Sequence, residues 1–126
     1  MAMQERWFTP AEAEELLPEV TRSLLAIREA RQVVLAGGER LRRRAELNGG
    51  GPEQTEYGEA MQMLRREVEA LTELGIVLRD PEKGLVDFPS RIDGADAFLC
   101  WRLGEDRVAF WHGPESGFAG RRALDA

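Results

Sequence analysis

The chain has little of what common binding and catalytic sites are built from, with one cysteine, Cys100, and one histidine, His112, among 126 residues. A single cysteine excludes an internal disulfide and a four-thiolate zinc site within one chain, so any metal would need histidine and carboxylate ligands. No apolar run approaches the ~20 residues that span a bilayer. The start, Met1 to Glu5, lacks the basic and then apolar pattern of a secretory signal. We therefore expect a cytoplasmic protein without a membrane partner.

Positive charge is also in short supply, because the formal net charge is −6 and 32% of the residues are charged. Binding to nucleic acid or to anionic lipid needs a basic face. The one basic cluster, at residues 40–44, lies near the end of a predicted helix, where cations complement the helix dipole. Nucleic acid is not an expected partner. Phosphate-binding and hydrolase motifs are missing as well, which argues against a nucleotide-driven enzyme.

Two long amphipathic segments predict helices. Thr9, Pro10 and Glu12 form a capping-box start. The first apolar stripe consists of Leu17, Val20, Leu24, Ile27, Val34 and Leu41. Pro18 predicts a kink in this helix, and Gly37-Gly38 predict a possible break. The glycine- and proline-rich composition from Asn48 onwards predicts that the helix ends before Asn48. The second stripe has coiled-coil spacing and consists of Tyr57, Met61, Leu64, Val68, Leu71 and Gly75.

These two helices predict an antiparallel hairpin over residues 8–75 with a loop near 48–54. A two-helix hairpin cannot complete a core alone. It must pack on a sheet, on a second copy of itself, or on both. A homodimer that associates through a four-helix bundle is therefore a structural prediction.

The pattern changes to short β-branched and aromatic runs after the second helix. These runs predict strands over Ile76–Leu78, Leu85–Ile92, Ala97–Leu103 and Arg107–His112. Asp93-Gly94 is a strong hairpin signal, Gly104 to Asp106 supplies a second turn, and Pro89 predicts an edge strand. The fold class is α+β, a long antiparallel helical hairpin followed by a three- to four-stranded antiparallel β-meander. We expect one domain, 1–126, with the sheet and a C-terminal loop over 76–122.

The predicted turns fix a register that gathers rare residues on one face of the sheet. A two-residue turn at Asp93-Gly94 pairs Asp87 with Cys100, and a three-residue second loop makes His112 a diagonal neighbour of Cys100. The opposite face carries Trp101 among apolar residues and is expected to pack on the helices. A slip of one residue at either turn would disperse the cluster.

The cluster has two interpretations. His112, Cys100 and Asp87 could ligate a metal, with zinc or iron suited to nitrogen, sulfur and oxygen together, and Glu115 could complete the shell. Arg102 lies two positions along from Cys100. The simpler interpretation is that Cys100 is a buried apolar residue, His112 is hydrogen-bonded and Glu115 is a solvated loop charge.

Several motifs resemble one uncharacterised bacterial family. They are Phe8-Thr9-Pro10-Ala11-Glu12-Ala13, Gly84-Leu85-Val86-Asp87-Phe88-Pro89, Leu99-Cys100-Trp101-Arg102-Leu103-Gly104-Glu105, Trp111-His112 and Gly117-Phe118-Ala119-Gly120-Arg121. With them the chain resembles the family known as domain of unknown function 2203 over nearly its whole length. The resemblance supports the domain limits and implies no activity. It draws attention to Asp87, Cys100, Trp101, His112 and Arg121.

Three hypotheses about function follow. The leading one is a small interaction or scaffold protein that self-associates through its helical hairpin, has an unidentified protein partner and lacks catalytic turnover. The second is a metal-binding protein or small metal-dependent enzyme with the site on the sheet. The third makes Cys100 an activated nucleophile or redox sensor, which predicts a lowered thiol pKa.

Overall fold

The computed structural model describes residues 6–47 and 53–124. The helices are α1 (Pro10–Glu15), α2 (Leu17–Leu47) and α3 (Glu53–Glu73). The strands are β1 (Val77–Asp80), β2 (Leu85–Ile92), β3 (Ala95–Arg102), β4 (Phe110–His112) and β5 (Arg122–Ala123). The strands form one antiparallel sheet in sequence order. The predicted α+β class is confirmed.

The capping box forms at the start of α1. The Thr9 hydroxyl accepts a hydrogen bond from the Glu12 amide at 3.1 Å, and the Glu12 carboxylate accepts one from the Thr9 amide at 2.9 Å. The helix is interrupted at Leu16, two residues before the kink that Pro18 predicts. Pro18 therefore lies in the first turn of α2, where its missing N–H costs no helical hydrogen bond.

The predicted break at Gly37-Gly38 is wrong, because α2 continues through both glycines. A Cβ atom at Gly37 would lie 3.4 Å from Cδ1 of Tyr57, and one at Gly38 would lie 3.5 Å from Cε1 of the same ring. These are ordinary van der Waals distances, so the ring packs directly on this part of α2 without requiring glycine there. Packing of the ring against the helix offsets the low helix propensity of glycine.

Helices α2 and α3 pack side by side in opposite directions. Ser23 donates a hydrogen bond to Glu67 near the sheet, while Gly37 and Arg40 lie beside Tyr57 and Glu56 further out. The described part of helix α2 reaches Leu47, and the predicted helix end before Asn48 falls on residues that the structure does not describe. Of the predicted loop near 48–54, residues 48–52 lie outside the described residues, and α3 already begins at Glu53.

The core lies between the helices and one face of the sheet. Its fully buried members include Phe8, Val20, Leu24, Ile27, Leu71, Ile76, Val86, Phe88, Leu99 and Trp101. Alternation along β2 and β3 sends these apolar side chains to the helical side and their neighbours to the other face. Trp101 belongs to this core, and its indole N–H donates to the carbonyl of Glu105 at 3.2 Å. Among the described residues, no helix is long and apolar enough to cross a membrane.

The Asp93-Gly94 turn has the predicted two residues. Both have positive φ, 54° and 81°, as a type I′ hairpin requires, and Ile92 pairs with Ala95. The second connection is longer than predicted, because β4 begins only at Phe110. Its register is nevertheless the predicted one, since Cys100 pairs with Phe110.

The prediction that Pro89 lies on an edge strand is wrong, since β2 lies between β1 and β3 in the sheet. Strand β1 reaches only as far as Asp87, and beyond it the Phe8 amide donates to the Pro89 carbonyl at 2.7 Å. The N–H and C=O of one strand residue point the same way, so the missing N–H of Pro89 faces this N-terminal segment. Strand β5 was not predicted, because two residues show no periodicity.

Candidate metal centre

Three neighbouring strands bring Asp87, Cys100 and His112 together on the face of the sheet opposite the helices. Asp87 pairs directly with Cys100, and His112 pairs with Phe98, two residues before Cys100 on the same face. The three side chains are 1%, 1% and 3% exposed. One ligand atom from each lies within 4.8 Å of the other two. The predicted cluster therefore forms, and it is buried.

The loop after β4 covers this cluster. A cavity of about 220 Å³ remains between the loop and the sheet. Besides the three clustered residues, its walls are formed by Arg79, Leu85, Pro114, Ser116, Gly117 and Phe118. A group bound at the cluster would thus lie at the bottom of a small, half-open pocket.

Hydrogen bonds fix the orientation of the His112 ring. Nδ1 lies 2.7 Å from the carbonyl oxygen of Gly113, and Nε2 lies 2.9 Å from Oδ2 of Asp87. Because a carbonyl only accepts, Nδ1 carries a proton and donates it. Nε2 faces the Asp87 carboxylate, so this second contact needs a proton shared between Nε2 and Asp87, and an ion bound at Nε2 would take the place of that proton. A ring held by Nδ1–H on a backbone carbonyl, with Nε2 left for the ion, is the usual arrangement of a metal-ligating histidine.

The Asp87 carboxylate has one satisfied and one unsatisfied oxygen. Oδ2 accepts a hydrogen bond from Nε of Arg79 at 2.7 Å and also faces His112. Oδ1 is buried and has no hydrogen-bond partner in the described part of the chain. A buried carboxylate oxygen without a partner is costly, and it is an atom that a cation would stabilise.

Cys100 is held in its protonated form. Burial, and then the negative charge of Asp87, raise the pKa of the thiol from 9.0 to about 11, against the opposing effect of Arg121. The thiol is therefore not an activated nucleophile in this environment, contrary to the expectation of a lowered pKa. A metal ion bonded directly to the sulfur would favour the thiolate at neutral pH, which Arg121 at 4.0 Å does not achieve.

Arg121 fastens the covering loop to the sheet. Its guanidinium donates to the two carboxylate oxygens of Glu105 at 2.6 and 3.3 Å. It also lies between two rings, 3.9 Å from the centre of Phe110 and 4.2 Å from that of Phe118. One of its nitrogens is 4.0 Å from the sulfur of Cys100. Arg121 thus links the loop, the sheet and the cluster.

The other proposed site residues lie elsewhere. Glu115 is exposed in the loop, outside the three-residue group, and lines a separate depression beside Trp111 and Arg122. Arg102 is exposed near the end of β3, and Trp101 lies on the helical face.

Two residues of the site were missed in the sequence. Arg79 was missed because the apolar run predicts that the first strand ends at Leu78, although β1 continues to Asp80. Glu105 falls within the predicted second turn, which gives it no role in a site. The signal for Glu105 was its place in the motif that begins at Leu99.

Comparison of the sequence with models of known protein families shows which family the chain belongs to. The family model described as "Uncharacterized conserved protein (DUF2203)" matches residues 6–124. The chain belongs to this family. The match confirms the resemblance seen in the motifs, and it spans the helical hairpin, all five strands and the candidate metal centre of this DUF2203 member. No significant match was found among curated proteins or among solved structures.

Proposed function

We propose that this DUF2203 protein binds one divalent transition-metal ion, zinc or iron(II), through Asp87, Cys100 and His112. The observation that carries the proposal is the approach of an oxygen, a sulfur and a nitrogen ligand atom to within 4.8 Å in a buried cluster. Hard cations such as Mg²⁺ and Ca²⁺ prefer oxygen ligands alone, whereas zinc and iron accept this mixed set.

Three protein ligands leave one position of a tetrahedral ion open, and the adjoining cavity supplies the space in front of it. Bonds of about 2.0–2.3 Å place the ligand atoms of such an ion roughly 3.3–3.8 Å apart. The most distant pair of ligand atoms would therefore approach by up to roughly 1.5 Å around the ion, while Nε2 of His112 and Oδ2 of Asp87, now 2.9 Å apart, would separate slightly. Open coordination is typical of metal ions that bind or activate a small molecule.

The ion would also resolve the electrostatic conflicts of the cluster. It would replace the proton of the Cys100 thiol, whose pKa of about 11 reflects burial next to Asp87. It would offer a partner to the unsatisfied Oδ1 of Asp87. A cytoplasmic location belongs to this proposal, because a reducing compartment keeps a single thiol free to bind metal.

Elemental analysis of protein purified without a histidine tag or chelator tests the proposal. Native protein should carry near-stoichiometric zinc or iron, and the Cys100→Ala and Asp87→Asn variants should lose most of it. Asp96→Asn is the matched control, because Asp96 is an exposed carboxylate on β3 whose neighbour is Arg91 at 4.0 Å. This control should retain the native metal content.

Two results would count against the site. Native protein that contains no metal, and takes up neither zinc nor iron(II) on reconstitution, would make the cluster a buried hydrogen-bond network only. Asp87→Asn and Asp96→Asn variants with equal metal content would remove Asp87 from the ligand set. Circular dichroism of each variant separates loss of metal from loss of fold.

A second proposal, self-association through the helical hairpin, is favoured by apolar side chains on its outer surface. Leu25 and Leu35 on α2 are 49% and 57% exposed, and Met63 on α3 is 37% exposed. Exposed leucines on a long helix are typical of helix–helix contacts between subunits. This association would not require the metal.

Sedimentation over a wide concentration range tests the second proposal. Native protein should dimerise, and Leu25→Glu together with Leu35→Glu should give a monomer. Arg107→Glu, at an exposed position in the loop between β3 and β4 and therefore outside the hairpin, is the control. A monomeric mass for native protein at high concentration would contradict the proposal.

A further inference from the structure

We propose that the cavity beside the candidate metal centre binds a small monocarboxylate with a short apolar tail. The carboxylate would occupy the open position of the ion and accept hydrogen bonds from the guanidinium of Arg79. This inference rests on the proposed metal site and adds the chemical class of its ligand.

Charge favours a single negative ligand. A divalent ion is neutralised by the Asp87 carboxylate and the Cys100 thiolate, while Arg121 is neutralised by Glu105, which lies 2.6 Å away. Arg79, which also lines the cavity, then leaves the site with one unbalanced positive charge. A monoanion restores neutrality beside these buried ligands, whereas a phosphate dianion would leave one net negative charge on the site.

Arg79 is oriented to bind a carboxylate. Its Nε donates to Asp87 at 2.7 Å, and its guanidinium lies over the ring of Phe98, 5.0 Å from the ring centre. Within the described residues, its two terminal nitrogens have no hydrogen-bond partner. A guanidinium whose plane is fixed in this way presents parallel donors that match the two oxygens of a carboxylate.

The size and lining of the cavity limit the rest of the ligand. A volume of about 220 Å³ lies below the ~300–1,000 Å³ typical of pockets for drug-sized ligands, so the cavity suits a small acid. Leu85, Pro114 and Phe118 give the chamber apolar walls. A tail of a few methylene groups would lie against these walls.

Titration of the cobalt(II)-loaded full chain tests this inference, because the visible bands of cobalt report a change of its ligands. Formate, acetate, propionate and butyrate are the probes, with inorganic phosphate as the competing chemistry. Each should shift the bands, and each added methylene should tighten binding about fourfold. Arg79→Gln should weaken butyrate binding at least tenfold. Arg122→Gln is the control, since Arg122 also lies over a ring, that of Trp111, yet lines the neighbouring depression.

Because Arg79 also contacts Asp87, the cobalt content of every sample is measured alongside. If Arg79→Gln fails to load, Phe118→Ala provides the test, and it should flatten the dependence on chain length. Cobalt-loaded protein whose bands no carboxylate shifts would overturn the inference and leave the metal site standing. Phosphate that binds as tightly as butyrate would also overturn it. A chain that takes up no cobalt would overturn both the inference and the proposed function.

Discussion

Nε2 of His112 lies 2.9 Å from Oδ2 of Asp87, although the two residues are 25 positions apart in the chain. Both side chains are almost fully buried, and the same oxygen of Asp87 also accepts a hydrogen bond from Arg79. The carboxylate therefore joins a histidine and an arginine beneath the C-terminal loop. Cys100 completes the cluster from the strand between them.

Cys100 should react slowly with iodoacetamide in the folded, metal-free protein. A pKa of about 11 in place of 9.0 lowers the thiolate fraction roughly 100-fold at pH 8, and burial blocks access as well. Comparison of the alkylation rates in buffer and in denaturant measures the effect. Equal rates in the two conditions would show that the thiol is neither buried nor perturbed.

Metal-free protein should lose stability as the pH rises from about 9 to about 11. The folded state keeps the Cys100 proton in this window because its thiol pKa is raised, while the unfolded state releases the proton. The contribution of Cys100 to the free energy of unfolding is therefore fully present below pH 9 and is lost as the pH rises toward 11. Denaturant titrations of native protein and Cys100→Ala isolate this contribution from other groups. A native curve parallel to the variant curve would contradict the raised pKa.

Arg121→Lys should speed alkylation of Cys100 about tenfold or more. Lysine loses the paired hydrogen bonds to Glu105 and the flat stacking between the two rings, so the loop over the cluster opens more often. Arg121 lowers the thiol pKa, so an effect through the pKa alone would slow the reaction instead. Arg122→Lys, next to it in sequence, should leave the rate unchanged.

Gly84→Ala should destabilise the fold by roughly 2–4 kcal/mol. Gly84 has a φ of +72°, and a Cβ atom there would lie 2.6 Å from Cβ of Leu103. Gly94→Ala is the matched control, because Gly94 has a φ of +81° but nothing within 4 Å of the added atom. The control should lose only about 1 kcal/mol. Equal losses in the two variants would remove the contact with Leu103 as a cause.

Thr9→Ala should lower the free energy of unfolding by about 1 kcal/mol, because it removes one half of the capping box of α1. Thr72→Ala removes a threonine hydroxyl that bonds only the preceding turn of α3, so it should change stability by less than about 0.5 kcal/mol. Urea denaturation of both variants makes the comparison. A loss at Thr72 as large as that at Thr9 would refute the capping argument.

The pairing of Asp87 with Cys100 was predictable because it depends on local signals. A two-residue turn at Asp93-Gly94 determines every partner along β2 and β3 by counting alone. His112 follows from the next turn. The connection there is longer than the predicted three residues, yet β4 rejoins the sheet in the register that such a loop would give.

The partners of the cluster were not predictable, since they depend on contacts between segments without periodicity. Arg79 reaches Asp87 only because β1 continues past its apolar run, through an irregularity between Leu78 and Asp80. The pairing of Glu105 with Arg121 joins two loops across the sheet. Local propensity also failed at Gly37, where packing of Tyr57 outweighs the tendency of glycine to end a helix.

Cobalt(II) titration of metal-free protein tests the central claim most directly, because a bond between cobalt and a thiolate gives an intense near-ultraviolet band. The account predicts that this band grows to an end point at one equivalent in native protein and in Asp96→Asn, and that it is missing in Cys100→Ala. Native protein without the band, or a Cys100→Ala variant that retains it, would contradict a metal centre formed by Asp87, Cys100 and His112.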